Sequence, residues 1–308
     1  MAIVKPEEMN FSDKNIIMII SGLPGVGKTT LALSAPEVVL IDSDEGLARV
    51  KVEHRKDSSI VKTYEELLAD IKSCEGKYKT MVIDTCGALI DLLKDWAMRN
   101  DPKANKASGG FSLQGFGIIK QEFLRFSAEL RKNFNVIYLF HAQKEKDNEE
   151  TFYSLVCEGS ARTLVYQPAD LAAYMFIQNG ERYLGFTPTA QYSAKSAYGI
   201  KGLIKTPELA EGEPNDFLTK LFAKIRENLL ADSATTKTKQ LEYDAAMVAG
   251  KALINCIDSP DLVIKTGDEI KRLKHSLTSE KELAALMKAK VKELGYVYNP
   301  KTKAYEQA

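Results

Sequence analysis

The chain has no run of about 18 consecutive apolar residues, so no helix of it is expected to span a bilayer. Nor does it have a paired-cysteine motif. Its four cysteines, Cys74, Cys86, Cys157 and Cys256, are scattered without a C-x-x-C pair. That pattern argues against a structural zinc site and for reduced thiols in a cytoplasm. Net charge is absent too: 42 Lys plus Arg balance 42 Asp plus Glu. Without a global basic field, any nucleic-acid contact must come from local patches. The first eight residues lack the charged-then-apolar layout of a secretory signal. No internal repeat and no low-complexity run interrupts the chain. What it does have is 308 residues and 44% hydrophobic content, enough for a core domain with an appendage.

The most informative stretch is Gly22-Leu23-Pro24-Gly25-Val26-Gly27-Lys28-Thr29. It matches the phosphate-loop pattern G-x-x-x-x-G-K-[ST] at every fixed position. Glycines let the backbone curl so that successive N–H groups point at a phosphate. Lys28 can then reach the β- and γ-phosphates of ATP, and the Thr29 hydroxyl can ligate Mg²⁺. The flanks fit as well. Residues 16–20 are a short apolar run, as a buried parallel strand should be. Residues from Thr30 to 35 read as a helix whose positive end faces the phosphates.

Strand and helix then alternate for about 200 residues. Strands are expected at 38–42, 80–84 and 136–140, and helices at 64–74, 87–99 and 115–134. A strand pair at 172–177 and 182–186 should turn at Asn179-Gly180. This order predicts a mostly parallel sheet with helices on both faces, followed by an antiparallel extension. From about residue 216 the pattern becomes helical, with helices at 217–230 and 241–257 and a capping box at 279–282 opening a third. That helix should stop at Gly295, before a small hairpin over 296–305. The expected division is a core at 1–231 and a helical domain at 232–308.

Four further places on the sheet carry chemistry. Asp84 ends an apolar strand, the Walker B arrangement, and can hold Mg²⁺ beside Thr29. Asp42-Ser43-Asp44-Glu45-Gly46 follows the second strand at the ligand edge of the sheet, where Asp44 or Glu45 can orient an attacking water. His141 and Gln143 follow the fourth strand, where a neutral donor can sense the γ-phosphate. Lys195, near the end of the core, could reach a phosphate across a subunit interface.

The order of these places resembles the RecA-like recombinase core. More narrowly, it resembles phage nucleotide-binding proteins with a RecA-like AAA domain, including single-strand annealing proteins of the Sak type. The resemblance covers residues 14–205. It implies a RecA-like P-loop ATPase that uses ATP and Mg²⁺. The family's acidic base falls at Asp44, where glutamate is usual, with Glu45 next to it. The family's Gln or His sensor falls at His141 and Gln143. Its Lys-x-Arg near the end of the core keeps only Lys195. Its two DNA loops fall at 99–117, with Lys103, Lys106, Phe111 and Phe116, and at 144–160, with Lys144 and Lys146 among Asp147, Glu149 and Glu150. The implied partners are single-stranded DNA, a single-strand DNA-binding protein and further copies of the chain, in the cytoplasm of a bacterial host. Two other functions fit the phosphate loop: a slow nucleotide-dependent switch and a phosphotransferase. The second usually needs an Arg-rich lid, and no Arg cluster is present.

Overall fold

A computed structural model describes residues 4–147, 150–157, 161–209 and 212–307. The chain forms two compact units, Asp13–Asn228 and the pairing of Met1–Ser12 with Leu229–Ala308. Among the described residues, no helix is long and apolar enough to cross a membrane.

The larger unit is built on a nine-stranded sheet. Its strands are β1 (Ile17–Gly22), β2 (Val38–Asp42), β3 (Ser58–Ile60), β4 (Thr80–Asp84), β5 (Asn135–Asp147), β6 (Glu150–Leu155), β7 (Leu171–Gln178), β8 (Glu181–Gly185) and β9 (Leu203–Lys205). The order is β3-β2-β4-β5-β1-β7-β8-β9, with β6 added antiparallel to the far half of β5. β3 to β7 along that order are parallel, whereas β8 and β9 are antiparallel. Every residue of β1, β2 and β4 is buried, so these strands are covered on both faces, which explains their unbroken apolar runs.

The crossover helices are α1 (Lys28–Ala32), α2 (Tyr64–Cys74), α3 (Cys86–Asn100), α4 (Leu113–Asn133) and α5 (Ala161–Tyr166). Their starts are written locally. Thr63 and Glu66 form a reciprocal capping box on α2, while Thr85 caps α3 and Ser112 caps α4. Leu67 of α2, Leu89 and Leu93 of α3, and Phe123 and Phe126 of α4 pack with Ile19, Ile41, Ile83 and Tyr138 of the sheet in one apolar core.

Helix α6 runs Phe217–Asn255 without a break. The two helices expected over this stretch are therefore one. The polar run between them is accommodated in the helix, where Ser233, Thr236 and Thr238 satisfy their hydroxyls by donating to the carbonyls of Leu229, Asp232 and Ala234, each four residues back. The smaller unit adds α7 (Pro260–Arg272), which the sequence pattern did not reveal, and α8 (Ser279–Glu293). Ser279 does not cap α8. Its Oγ instead accepts from the Ser276 N–H, and the N-cap is Thr278. The chain stops the helix at Gly295 (φ 70°) and closes in the hairpin β10 (Tyr296–Asn299) and β11 (Ala304–Gln307). Val263, Ile270, Leu283 and Val291 form this unit's own core.

Candidate nucleotide site

The phosphate loop leaves the C-terminal end of β1, in the middle of the sheet. Gly22 is there because space is lacking: a Cβ would sit 2.4 Å from the Met175 carbonyl oxygen of β7. Gly27 is there because its φ is 100°, in the left-handed region that side chains disfavour. Leu23, Pro24 and Gly25 form the exposed tip and Val26 is buried beneath it.

Lys28 points back into the loop. Its Nζ donates to the carbonyls of Gly22 (3.0 Å) and Leu23 (3.1 Å) and lies 3.4 Å from His141 Nδ1. An ammonium has only donors, so a hydrogen bond between the two uses Nδ1 as the acceptor and leaves Nε2 as the ring's other nitrogen. That nitrogen faces Asp44 Oδ2 at 3.7 Å, and the same oxygen takes a 3.1 Å bond from Arg49. A continuous polar chain Lys28–His141–Asp44–Arg49 results. Beside it, Thr29 Oγ1 donates to Asp84 Oδ2 at 2.6 Å. Burial lowers the Lys28 pKa and raises that of Asp84.

Register explains the convergence. β1 pairs with β5 so that Gly22 lies beside His141, and β2 pairs with β4 so that Asp42 lies beside Asp84. The Ser43 N–H donates to the Asp84 carbonyl (2.9 Å), tying the two strand ends together. Asp42 itself does not face the phosphates. Its carboxylate is buried and accepts from the N–H groups of Gly46 and Leu47 at 2.8 and 2.9 Å. This clamps the turn that presents Asp44.

A cavity of about 500 Å³ lies over the loop. Lys28, Thr29, Thr30, Asp44, Asp84 and His141 line it, together with Arg49 and Arg182. Of the two acidic candidates, Asp44 lines the cavity and Glu45 does not. Glu45 takes a left-handed backbone (φ 50°) at the turn. Gln143 is also outside it. β5 runs past both sensor candidates, and Gln143 donates to Glu145 at 3.0 Å. Lys195 is elsewhere, its Nζ donating to the Gln167 carbonyl at 3.0 Å.

Oxygen donors suit Mg²⁺. Among the described residues no group of three or more His, Cys, Asp or Glu forms a protein cage for a metal. One hydroxyl and one carboxylate, completed by phosphates and water, are what Mg²⁺ ordinarily takes. Thr29 and Asp84 place one hydroxyl and one carboxylate side by side and could hold such an ion.

The AAA-domain family model matches residues 14–198, more than half of the chain. The chain belongs to the AAA-domain family. No curated protein matches it. The matched span holds the whole sheet from β1 to β8 and every residue of the polar chain around the loop. The AAA domain here is thus an α/β P-loop nucleotide-binding fold.

Arg182 has no local signal in the sequence. It enters from β8 of the AAA domain, 156 residues beyond the loop, and its Nε donates to the Val26 carbonyl at 3.2 Å. No carboxylate among the described residues pairs with it.

The candidate DNA loops look different from their sequence reading. Residues 101–112 form a folded turn, with Ala104 fully buried and Lys106 and Gly110 hydrogen-bonded across it. Phe111 and Phe116 are half-buried, packed edge to face at 5.0 Å and against the core. Phe111 also covers Gly115. Both rings contact protein and are only partly exposed, while Lys103 and Lys106 are exposed. In the second segment, Lys144 is exposed on β5 opposite Tyr153 of β6. The backbone of Lys146 continues that strand, but its side chain, Glu149 and residues 158–160 lie outside the described residues.

Proposed function

We propose that this AAA-domain protein binds ATP with Mg²⁺ and hydrolyses it. The observation that carries the reading is the convergence of Lys28, Thr29, Asp84, His141 and Asp44 on one cavity over the phosphate loop. Loop N–H groups and Lys28 would bind the phosphates. Thr29 and Asp84 would hold Mg²⁺, which supplies charge neutralisation at the β- and γ-phosphate oxygens when bound. Asp44 would accept a proton from water as its oxygen attacks the γ-phosphorus and the bond to the β-phosphate bridge breaks, leaving ADP and phosphate. Arg49 would hold the Asp44 carboxylate in place for that step, with His141 Nε2 facing the same oxygen.

The test is phosphate release together with nucleotide binding. Lys28→Ala is expected to lose productive ATP binding. Asp44→Asn is expected to bind ATP and turn over about a hundredfold more slowly, the scale of a lost general base. Phosphate transfer to an added acceptor rather than to water would mark a phosphotransferase. Tight binding with negligible turnover would mark a switch.

A second step concerns single-stranded DNA, in support of annealing or recombination. β5 is one unbroken strand from the core through His141 to Lys144 and the β6 hairpin, which also carries Phe152 and Tyr153. A change at His141 on hydrolysis would be felt along that strand. His141→Ala is expected to leave DNA binding in place but to remove its dependence on ATP, read by filter binding with and without nucleotide.

A further inference from the structure

The four cysteines are scattered along the sequence, yet two of them meet in the fold. Cys86 is the first residue of α3, and Cys157 lies just past the end of β6. Their thiols are hydrogen-bonded to each other. The main chains are neighbours as well: a Cβ built at Gly87 would sit 3.4 Å from the Val156 carbonyl oxygen. Cys74, at the end of α2, and Cys256, in the smaller unit, are placed elsewhere.

The two thiols are free and unequal. Cys86 is fully buried in the apolar core, whereas Cys157 packs against that core and is partly exposed. An oxidant in solution therefore meets Cys157 first. Each sulfur is also joined to the candidate nucleotide site by a short stretch of backbone. Cys86 follows Asp84 and Thr85, and Thr85 caps α3 by accepting from the Ala88 N–H. Cys157 follows Val156, whose N–H donates to the His141 carbonyl at 2.7 Å.

We propose that Cys86 and Cys157 are an oxidative modification site, at which a peroxide joins the two thiols in a reversible disulfide that slows ATP turnover. The Cys157 sulfur attacks one oxygen of hydrogen peroxide and the O–O bond breaks. Cys157 becomes a sulfenic acid, and its thiol proton leaves with hydroxide as water. The Cys86 sulfur then attacks the Cys157 sulfur and the S–OH bond breaks. The Cys86 proton leaves with that hydroxide as a second water. Peroxide is thus reduced to two waters while two thiols are oxidised to one disulfide. The resolving thiol is already in contact, which favours this step over further oxidation of the sulfenic acid. A disulfide holds its sulfurs about 2 Å apart, closer than hydrogen-bonded thiols lie, so the start of α3 and the end of β6 are drawn together. Asp84 and the His141 backbone adjoin those two ends. The effect on turnover rests on the nucleotide reading above; formation of the disulfide does not.

The experiment treats the full chain with hydrogen peroxide and reads two signals. One is peptide mapping by mass spectrometry without reduction, and the other is phosphate release from ATP with Mg²⁺. Wild type is expected to give a cross-linked peptide pair holding Cys86 and Cys157. Its turnover is expected to fall about tenfold or more, as for displaced reacting groups, and dithiothreitol should restore it. Cys157→Ser is expected to keep its turnover before and after peroxide. Cys86→Ala is expected to lose the cross-link and to carry Cys157 on to sulfinic acid, which dithiothreitol does not reverse. Cys256→Ser, which removes the exposed thiol, is expected to behave as wild type. A wild-type map without the Cys86–Cys157 link, or with sulfinic acid at Cys157 in its place, would overturn the proposal. A link that forms with turnover unchanged, or an equal loss of turnover in Cys157→Ser, would overturn its regulatory half. If reduced wild type releases no phosphate, the nucleotide reading fails, and the map still decides whether the disulfide forms.

Discussion

At Asp44 a single carboxylate oxygen meets Arg49 at 3.1 Å and faces His141 Nε2 at 3.7 Å. The Arg49 guanidinium is largely exposed, so the pair adds little to folding. Its value is direction. Asp44→Asn should therefore be impaired in turnover and normal in melting temperature, whereas Glu45→Gln should hydrolyse ATP almost normally because Glu45 lies outside the cavity. Asp84 is a different case. Burial raises its pKa, so the folded protein holds that carboxyl's proton more firmly than the unfolded chain does. The sign follows from linkage: this contribution to stability is present at low pH and falls as pH rises through the ordinary carboxylate range to the raised value. Asp84→Asn should thus melt slightly higher than wild type at neutral pH while losing its response to Mg²⁺. Protons and Mg²⁺ compete for the same oxygens. The apparent Mg²⁺ affinity of wild type should weaken as pH falls toward the raised pKa, and a titration series across that range checks it.

Among the elements, β1, the loop and α1 act as one device. Gly27→Ala forces a Cβ into a left-handed conformation, a strain of roughly 1–3 kcal/mol, and should damage nucleotide binding beyond its effect on the melting temperature. Leu89→Ala in α3 is the converse. Leu89 is fully buried in the core and does not line the cavity over the loop, so the variant should lose about 2–5 kcal/mol of stability and keep its turnover per folded molecule. Elements of this kind were legible in the sequence. β2 and β4 were placed to the residue because strands buried on both faces cannot avoid being apolar. β3 was not, since Ser58-Ser59-Ile60 is a short polar edge. The continuity of α6 was hidden because hydroxyl side chains that suit loops also bond back within a helix. The loop, Asp84 and Asp44 were legible as residues at or just past strand ends, and His141 was legible too, although β5 runs on past it to Asp147 instead of ending there. Arg182, the clamp made by Asp42 and the meeting of Cys86 with Cys157 were not. Each depends on contacts that only the folded sheet creates.

On the scale of the whole molecule, zero net charge confines any DNA contact to local groups. Lys103 and Lys106 are exposed on a folded turn whose phenylalanines pack inward. Replacing both lysines by alanine should lower the salt dependence of single-strand binding by about 1 to 1.5 units of slope, at about 0.7 per phosphate contact. Phe111→Ala should instead lower the melting temperature and leave DNA affinity unchanged. The larger unit, Asp13–Asn228, holds all the groups assigned to nucleotide chemistry, and the smaller unit has a core of its own. The central claim is Mg²⁺-dependent hydrolysis at the cavity over the phosphate loop. The most direct measurement is steady-state phosphate release from ATP by the purified full chain, with and without Mg²⁺, beside Lys28→Ala. Release by wild type that needs Mg²⁺ and vanishes in Lys28→Ala is the predicted result. Release that is absent in wild type, or equal in the variant, would contradict the account.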